Sequence, residues 1–521
     1  MRRISFVFLP LTLLLAQPKI DKNALPGYES ITADDLSAHL HFLASPELEG
    51  RETSFRGQKV AARYIAAAFQ KLGLKPIGDK GTYFQHLDLE VTRISERTTI
   101  TLSVPSGKKE FWIRKDFLTN STRDTVLEAP VVFVGYADQA FSNESEELIK
   151  GKIVLTLAGT KSPAEEAGTR SSRRLFATRP YPGAVATLVI LNETGPTSLP
   201  SLVNRFSNAI DKGSMRLVGG ESRRRAPSSS TYYVSSELAR EILAGAGTTI
   251  ETVRSSATGE SFQPLALGNV AARIDSKIAR DIKQSENVIG MLEGSDPKLK
   301  NEIVIFTAHY DHLGVNADGQ INPGADDDGS GTAAVLELAE AFAVNPVKPK
   351  RSLVFMTVTG EEKGLLGSYY YSQNPIIPME KTIANLNTDM IGRVDKKYEA
   401  MNNPNYVYVI GSDKISTELD SVLRVSNASS ENLLLDYTFN DDKDPNQFYR
   451  RSDHFNFARN GVPVVFYFTG VHDDYHRPTD TVDKILFGRA ARITRLIFVT
   501  GWNTANFPRM FVKNASSAVY Q

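Results

Sequence analysis

The chain has 521 residues, of which 41% are hydrophobic and 23% are charged, a composition typical of a folded globular protein. At roughly 100–200 residues per domain, this length predicts two to four domains. Sixty basic residues balance sixty acidic ones, so the charge favours neither nucleic acid nor an anionic membrane, and we expect no nucleic-acid partner. The absence of cysteine excludes disulfides, thiolate metal sites and a cysteine nucleophile. Any metal site must therefore be built from His, Asp and Glu.

Residues 1–17 are predicted to be a secretory signal peptide. Arg2 and Arg3 precede an apolar run from Ile4 to Ala16, which is the order of a basic region followed by a hydrophobic region. The alternative is a membrane anchor, but this run is shorter than the ~20 residues that a spanning helix needs. We therefore expect a secreted or periplasmic protein without a stable membrane anchor.

The pattern changes along the chain from helical to strand-like. Residues 31–75 are predicted to be helical, because Leu36, Leu40 and Leu43 recur at helical spacing after Thr32. From 119 to 270, short apolar runs are separated by Gly, Pro and Ser, which predicts strands. We predict a β-rich inserted domain over 119–270, and a main domain formed by 18–118 and 271–521.

After residue 275, strands alternate with helices. The predicted strands are Glu302–Ala308, Ser352–Thr359, Ile383–Thr388, Tyr406–Ile410 and Val462–Phe468. Helical patterns cover Thr332–Phe342 and Leu486–Trp502. This alternation predicts an α/β domain with a mostly parallel central sheet and helices on both faces. In such sheets, ligands bind beyond the carboxyl ends of the strands.

Residues that bind metals follow these strands. They are His309-Tyr310-Asp311-His312, the acids Asp326, Asp327 and Asp328 in a glycine-rich segment, Gly360-Glu361-Glu362, Asp389, and Tyr475-His476. Taken alone, the three adjacent acids have an alternative explanation as the cap of the helix that follows them, but the glycines favour a bound cation. Five strand ends that carry such residues together predict a metal site.

The ligand types restrict the metal. Two imidazoles and three carboxylates without a thiolate suit zinc, manganese or cobalt. Five side chains exceed one tetrahedral zinc ion, but they suit two ions about 3.5–4 Å apart that share a bridging carboxylate. Neighbouring side chains at a strand end diverge, so one of Glu361 and Glu362 is left to act as a general base.

With these residues, the chain resembles the zinc-dependent exopeptidases typified by the secreted bacterial leucine aminopeptidases, whose relatives include glutamate carboxypeptidase and glutaminyl cyclase. The resemblance covers His309 to Thr481 and extends to the leader Leu43–Arg51. Residues 119–270 are similar to the protease-associated domain, at Gly151–Leu155 and Pro182-Gly183-Ala184.

The resemblance implies roles for individual residues and two Zn²⁺ ions per chain. His309 and Asp389 would bind one zinc ion, Glu362 and His476 the other, Asp327 would bridge them, Glu361 would be the general base, and Asp311 would orient His309. Tyr449 lies before Ser452-Asp453-His454 at the spacing of the family's oxyanion-stabilising tyrosine. The two cysteines that bracket this tyrosine in bacterial members are Gln447 and Arg451 here.

The implied function is that of a secreted dizinc aminopeptidase, which removes the N-terminal residue of peptides with a zinc-activated water. Four residues are expected either to line an apolar pocket or to be ordinary core: Met390, Phe466, Phe468 and Tyr475. A carboxypeptidase is an alternative, since four arginines lie near the site in sequence: Arg393, Arg450, Arg451 and Arg477. A single-zinc cyclase and a non-catalytic binding scaffold are further alternatives, and the sequence does not predict the oligomeric state.

Overall fold

The computed structural model describes residues 19–119, 121–136, 143–159, 181–220, 230–259 and 262–520. The predicted signal peptide over 1–17 lies outside these residues. Two compact units make up the chain: the first contains the residues up to Asp88 and from Gln284 onward, and the second contains Leu89–Lys283. Among the described residues, no helix is both long enough and apolar enough to cross a membrane.

The first unit is built from alternating helices and strands. Its helices are α1 (Leu25–Ser30), α2 (Ala33–Leu43), α3 (Arg56–Lys71), α4 (Gly331–Val344), α5 (Leu366–Gln373), α6 (Lys396–Ala400), α7 (Thr417–Ser429), α8 (His454–Ala458) and α9 (Phe487–Ala505). Its strands are β1 (Lys75–Pro76), β2 (Phe84–Ile94), β3 (Ile278–Leu292), β4 (Ile303–His309), β5 (Gly314–Val315), β6 (Ile321–Asn322), β7 (Ser352–Val358), β8 (Thr382–Thr388), β9 (Tyr406–Ile410), β10 (Leu434–Asp436) and β11 (Val464–Phe468). The boundaries between the units fall within β2 and β3.

The main sheet has the strand order β10-β9-β11-β8-β4-β7-β3-β2, and β1 pairs with β3. The short strand Ser214–Leu217 pairs with the Leu89–Thr92 part of β2. The central strands β11, β8, β4 and β7 are parallel to one another. Antiparallel pairs occur toward the edges, between β7 and β3 and between β11 and β9. The predicted mostly parallel central sheet is confirmed.

Helices cover both faces of this sheet, as predicted. On β4, Val304 and Phe306 pack into the cluster that contains residues of α2, α4 and α9. Ile303 and Ile305 point to the other face, into the cluster with Tyr371 of α5 and Phe457 of α8. Because successive side chains of a strand point to opposite faces, burial on both faces requires a continuous apolar run, and all residues of β4 are buried.

The N-terminal region is helical, as the spacing predicts. The Thr32 hydroxyl accepts a hydrogen bond from the Asp35 N–H at 3.1 Å and caps α2. Leu36, Leu40 and Leu43 are the buried residues of α2. The region divides into α2 and α3, with a short 3₁₀ segment, Pro46–Arg51, between them.

The second unit has a sheet of its own. The strands are, in spatial order, Gly107–Trp112, Thr99–Val104, Leu265–Ser276, Thr125–Tyr136, Ile153–Leu157, Ala186–Ile190, Ser230–Val234 and Phe117–Thr119. The helices are Asn143–Ile149, Leu199–Lys212, Ser236–Gly245 and Ile250–Ala257.

The predicted boundaries of the insert at 118/119 and 270/271 differ from the observed ones at 88/89 and 283/284. The hairpin of Thr99–Val104 and Gly107–Trp112 pairs with Leu265–Ser276, so it belongs to the sheet of the second unit. These pairs join segments more than 150 residues apart in the sequence. The local sequence pattern therefore does not show them.

Candidate metal centre

The ligand-type residues predicted from the sequence come together at the carboxyl edge of the parallel strands. They are His309 at the end of β4, Asp327 just before α4, Glu361 and Glu362 after β7, Asp389 after β8, and His476 after β11. In the parallel pair β4–β7, His309 lies opposite Val358, so the two strands end side by side. Segments that are distant in the sequence therefore meet at one edge of the sheet.

The three adjacent acids before α4 point in different directions. Asp328 accepts hydrogen bonds from the backbone N–H groups of His309 (3.1 Å), Gly331 (2.8 Å) and Met390 (3.2 Å). Asp326 accepts a hydrogen bond from the Gly392 N–H at 2.6 Å. Asp326 also lies 3.2 Å from His472 Nε2, but only Asp327 lies beside His309 and His476. Asp326 and Asp328 thus hold the backbone, and the middle carboxylate is placed to bind a metal ion.

His309, Asp327 and Asp389 form the first group of candidate ligands. His309 Nε2 lies 3.2 Å from Asp327 Oδ1 and 3.8 Å from Asp389 Oδ1. All three side chains offer ligand atoms within 4.8 Å of one another. The two residues that the resemblance assigns to one zinc ion thus lie beside the predicted bridging carboxylate.

Asp327, Glu362 and His476 form the second group. His476 Nε2 lies 3.1 Å from Asp327 Oδ2 and 3.3 Å from Glu362 Oε2. Asp327 thus contributes one carboxylate oxygen to each group, which is the arrangement of a bridging ligand.

His312 is also part of the second group, and the sequence analysis assigned it no role. Its Nδ1 lies 2.8 Å from Glu362 Oε1 and 3.8 Å from Asp327 Oδ2. The signal that could have identified it was its position in the His309–His312 segment, directly after a buried strand. Two imidazoles, His312 and His476, therefore flank Glu362.

Asp311 supports the site through both its main chain and its side chain. Its backbone carbonyl oxygen lies 3.0 Å from His309 Nδ1, whereas its carboxylate is 4.0 Å away from that atom. The carboxylate accepts hydrogen bonds from the Glu361 N–H at 3.1 Å and from the Thr53 hydroxyl at 2.7 Å. His309 is thus oriented by a carbonyl oxygen, and the Asp311 side chain positions the backbone of Glu361.

Two further residues hold the ligands and their loop. The Ser452 hydroxyl donates a hydrogen bond to Asp389 Oδ2 at 2.7 Å and accepts one from Asn387 at 2.9 Å. The buried guanidinium of Arg51 donates to the backbone carbonyls of Leu43, Tyr310, Pro323 and Gly324. Arg51 therefore ties the leader segment to the backbone on either side of the ligands.

The electrostatics of the centre favour cations. Burial alone would raise the pKa of Asp327, but the imidazoles of His309 and His476 hold it well below its ordinary value. Burial and Asp327 act to raise the pKa of Glu362, yet His312 and His476 hold it at about 2. Burial opposes protonation of His476, but Asp327 and Glu362 raise its pKa to about 10. Without a metal ion, protons on His309 and His476 thus supply the positive charge that the carboxylates attract.

Unpaired buried atoms show that these residues fit a metal ion. Asp327 Oδ2, Glu362 Oε1 and both ring nitrogens of His312 have no hydrogen-bond partner in the described part of the chain. His312 Nδ1 and Glu362 Oε1 are close together without being hydrogen-bonded. Buried polar atoms without partners are rare, and a bound ion accounts for them. Imidazole and carboxylate donors without thiolate suit zinc.

A narrow cavity of about 30 Å³ lies beside the ligands. Its polar walls include His309, Asp327, Glu361 and Asp389. Burial, and then the nearby carboxylates of Glu362, Asp453 and Asp389, raise the pKa of Glu361 well above its ordinary value, although His309 acts against this. A carboxyl group with a raised pKa is suited to take up and release a proton in a reaction.

The remaining walls of the cavity are mostly apolar. They consist of Met390, Phe448, Phe466, Phe468, Val471 and Tyr475, with Arg451 as the charged residue. The four residues predicted either to line a pocket or to be core are therefore cavity residues, and Phe448 and Val471 extend the apolar surface. Of the four arginines near the site in sequence, Arg451 lines the cavity, and its guanidinium lies 4.7 Å from the centre of the Phe448 ring.

Tyr449 is not among the residues that line the cavity. Its hydroxyl donates a hydrogen bond of 3.4 Å to the backbone carbonyl of Tyr520, and Lys414 Nζ lies 5.1 Å from the centre of its ring. The role that the resemblance implies for Tyr449 stays a prediction.

Comparisons with known proteins agree with this geometry. Residues 287–500 match peptidase family M28. The chain is 27% identical over 266 residues to a protein named probable zinc metalloprotease from Pyrenophora teres f. teres, a match that covers 43% of this chain and 52% of that protein. It is 33% identical over 200 residues to a probable leucine aminopeptidase 2 from Aspergillus oryzae, with 38% of this chain and 36% of that protein covered. The chain thus spans about a third to a half of the length of these curated relatives.

A solved structure shows the same fold over most of the chain. The aminopeptidase from Aneurinibacillus sp. strain AM-1 superimposes with a TM-score of 0.52 at 19% identity, covering 92% of this chain and 95% of that one.

Proposed function

We propose that the protein is a dizinc aminopeptidase, starting from the match of residues 287–500 to peptidase family M28. One observation carries the proposal: Asp327 places one carboxylate oxygen against His309 and the other against His476, so that two ligand groups share it. This geometry supports two adjacent ions rather than one.

The proposed ligands follow the two groups. His309 and Asp389 hold one zinc ion, Glu362 and His476 hold the other, and Asp327 bridges them, with His312 beside Glu362. When bound, zinc lowers the pKa of a water from about 15.7 to about 7 and polarises a carbonyl group. The protein supplies the geometry, because Ser452 fixes Asp389 and the Asp311 carbonyl fixes His309.

Glu361 is proposed as the general base. Its backbone is held by Asp311, and its Oε2 lies 3.9 Å from His309 Nε2, at the edge of the first ligand group. Its carboxylate takes the proton of the attacking water and later gives it to the leaving amine. We propose Tyr449 as the hydrogen-bond donor to the oxyanion. In this role its hydroxyl must leave the Tyr520 carbonyl and donate to the substrate oxygen instead.

The charge of the cavity supports an aminopeptidase over a carboxypeptidase. Of the three carboxylates that line it, Glu361 is not a proposed zinc ligand, so its negative charge remains to attract the free α-amine of a peptide. The apolar walls suit the side chain of the first residue. Arg451 keeps the carboxypeptidase as the second candidate, since its guanidinium is the group in the cavity that could bind a substrate carboxylate.

A paired substrate assay separates these two candidates. Leucyl-p-nitroanilide should be cleaved, its N-acetylated counterpart should not, and a zinc chelator should abolish the cleavage. Arg451→Gln should leave leucyl-p-nitroanilide cleavage within a few-fold of wild type, because the aminopeptidase proposal gives Arg451 no contact with the substrate amine. Equal cleavage of the acetylated substrate would refute the aminopeptidase proposal. Preferential cleavage of an N-blocked dipeptide, lost in Arg451→Gln, would establish the carboxypeptidase.

The adjacent acids offer a matched pair of variants for the mechanism. Glu361→Gln should lower kcat by about 10²–10⁴-fold and keep the zinc content, because it removes a base but no ligand. Glu362→Gln should lower the zinc content itself. A Glu361→Gln enzyme with nearly full activity would exclude Glu361 as the base, and a wild-type protein with bound zinc and no hydrolase activity would favour the binding scaffold.

We also propose that the protein is exported. The argument is the predicted signal over residues 1–17, with its basic start and short apolar run. Expression of the full chain, followed by N-terminal sequencing of the secreted or periplasmic product, should give a chain that begins near residue 18. A product that keeps residues 1–17 and sediments with membranes would favour the anchor. The resemblance of the insert to a protease-associated domain stays a prediction.

A further inference from the structure

A third cluster of ligand-type side chains lies outside the metal centre described above. It is formed by His39 of α2 and by Glu337 and Glu340 of α4. Each side chain offers one ligand atom, and the three atoms lie within 4.8 Å of one another. Glu337 and Glu340 are three residues apart, so they lie on the same face of α4, toward α2.

Glu337 is buried, and only one of its two carboxylate oxygens has a hydrogen-bond partner among the described residues. The residue is 1% exposed, and its Oε1 accepts a hydrogen bond from the Thr32 N–H at 3.1 Å. Its Oε2 is buried and has no hydrogen-bond partner among the described residues. An unpaired buried carboxylate oxygen is costly, so a partner for it is expected.

In the described part of the chain, the two carboxylates of the cluster have no basic partner, although burial, together with Lys71, lowers the pKa of His39. Burial raises the pKa of Glu337 to about 8, and the nearby carboxylates of Asp35 and Glu340 act in the same direction. Within the described ranges, neither Glu337 nor Glu340 makes an ion pair with a basic side chain, His39 included, at 4.0 Å or less. Two carboxylates that share a buried site without a cation repel each other.

His39 is held in an orientation that suits metal binding. Its Nδ1 lies 2.8 Å from the Tyr64 hydroxyl oxygen, and the two rings meet edge to face. When Nδ1–H donates to this oxygen, Nε2 keeps its lone pair. A ring nitrogen fixed by an oxygen acceptor is the usual support of a metal-bound histidine, as seen for His309 and the Asp311 carbonyl.

We propose that His39, Glu337 and Glu340 bind one divalent transition-metal ion, of which zinc is the best match. One imidazole and two carboxylates give three protein ligands, and water completes a tetrahedral zinc site. Calcium would need six to eight oxygen ligands, which this cluster does not supply. The ion would link α2 to α4. Helix α4 directly follows the segment that contains Asp327.

The number of zinc ions per chain tests this proposal. Full-length protein is stripped with a chelator, equilibrated with near-stoichiometric zinc and assayed by plasma mass spectrometry. His39→Gln and Glu340→Gln should each contain one zinc ion per chain fewer than wild type. His41→Gln is the matched control, because His41 lies on the same helix and its Nδ1 contacts the Ser37 carbonyl instead. Equal zinc in His39→Gln, Glu340→Gln and His41→Gln would overturn the site.

A second measurement does not depend on the catalytic ions or on peptidase activity. In an Asp327→Asn background, which weakens both catalytic ligand groups, added zinc should still raise the thermal unfolding midpoint. This rise should disappear when His39→Gln is added and persist when His41→Gln is added. No rise, or a rise that survives His39→Gln, would refute the third site, whatever the outcome of the peptidase assays.

Discussion

Replacing Asp311 tests whether the backbone of Glu361, the proposed general base, is positioned by the Asp311 side chain. The Asp311 side chain is fully buried and accepts two hydrogen bonds, from the Glu361 N–H and from the Thr53 hydroxyl. Asp311→Asn keeps the shape and removes the charge. The amide oxygen can still accept from Glu361, while the amide nitrogen donates to Thr53.

The expected loss follows from these contacts. A hydrogen bond to a charged group contributes about 1.5–3 kcal/mol and a neutral one about 0.5–1.5 kcal/mol, so the bond to Glu361 weakens by about 1–1.5 kcal/mol. If this loss appears in the transition state, kcat falls by about 5- to 10-fold at saturating zinc. Asp311→Asn keeps the backbone carbonyl that contacts His309 but removes a negative charge 4.0 Å from His309 Nδ1, so zinc affinity should fall by about 10- to 100-fold.

The assay measures kcat with a free-amine leucyl substrate and zinc affinity by chelator competition. Asp311→Ala should lower kcat and zinc affinity more than Asp311→Asn does, because it removes the side chain that contacts the Glu361 N–H and the Thr53 hydroxyl. Asp318→Asn, in the exposed turn after β5, is the matched control. If Asp311→Asn stays within twofold of Asp318→Asn in both quantities, the Asp311 carboxylate does not position Glu361.

Three further predictions follow from single contacts. Arg51→Lys should lower the free energy of unfolding by about 2–6 kcal/mol in urea, since at least two buried carbonyls lose their donor, whereas the exposed Arg56→Lys should change it little. Ser452→Ala should weaken zinc binding by about 10- to 100-fold while kcat recovers at excess zinc, and an unchanged zinc affinity would contradict the role of Ser452. Burial raises the pKa of Glu337 from the ordinary value of 4.5 to about 8, so between these pH values the folded state keeps a proton that the unfolded state has lost. With chelator present, wild type should therefore lose stability relative to Glu337→Gln as the pH rises through this range. A stability difference that does not depend on pH would contradict this prediction.

The parallel sheet and the position of the site are predictable from the sequence for one physical reason. Strands such as β4 are buried on both faces, so they appear as continuous apolar runs whose ends are easy to recognise. The residue that follows such a run lies at the edge of the sheet where ligands bind. His309 and Asp389 are therefore found without any knowledge of the three-dimensional structure.

The features that were missed depend on contacts between distant segments. The start of the second unit at Leu89 is set by pairing between Thr99–Val104 and Leu265–Ser276. The hydrogen bond from the Tyr449 hydroxyl to the Tyr520 carbonyl likewise joins residues 71 positions apart, and the predicted role of Tyr449 remains untested. Neither contact leaves a periodic signal in the local sequence.

Adjacent acids show why the sequence predicts the site more readily than the role of each residue. Asp326, Asp327 and Asp328 have equal chemistry, yet only Asp327 lies beside both His309 and His476, because the backbone N–H groups of Gly392 and Gly331 hold its neighbours. Glu361 and Glu362 are separated in the same way, since His312 and His476 flank only Glu362. A run of carboxylates in the sequence therefore indicates a cation site. Which carboxylate binds the ion depends on the surrounding N–H groups and imidazoles, and these groups belong to segments that are distant in the sequence.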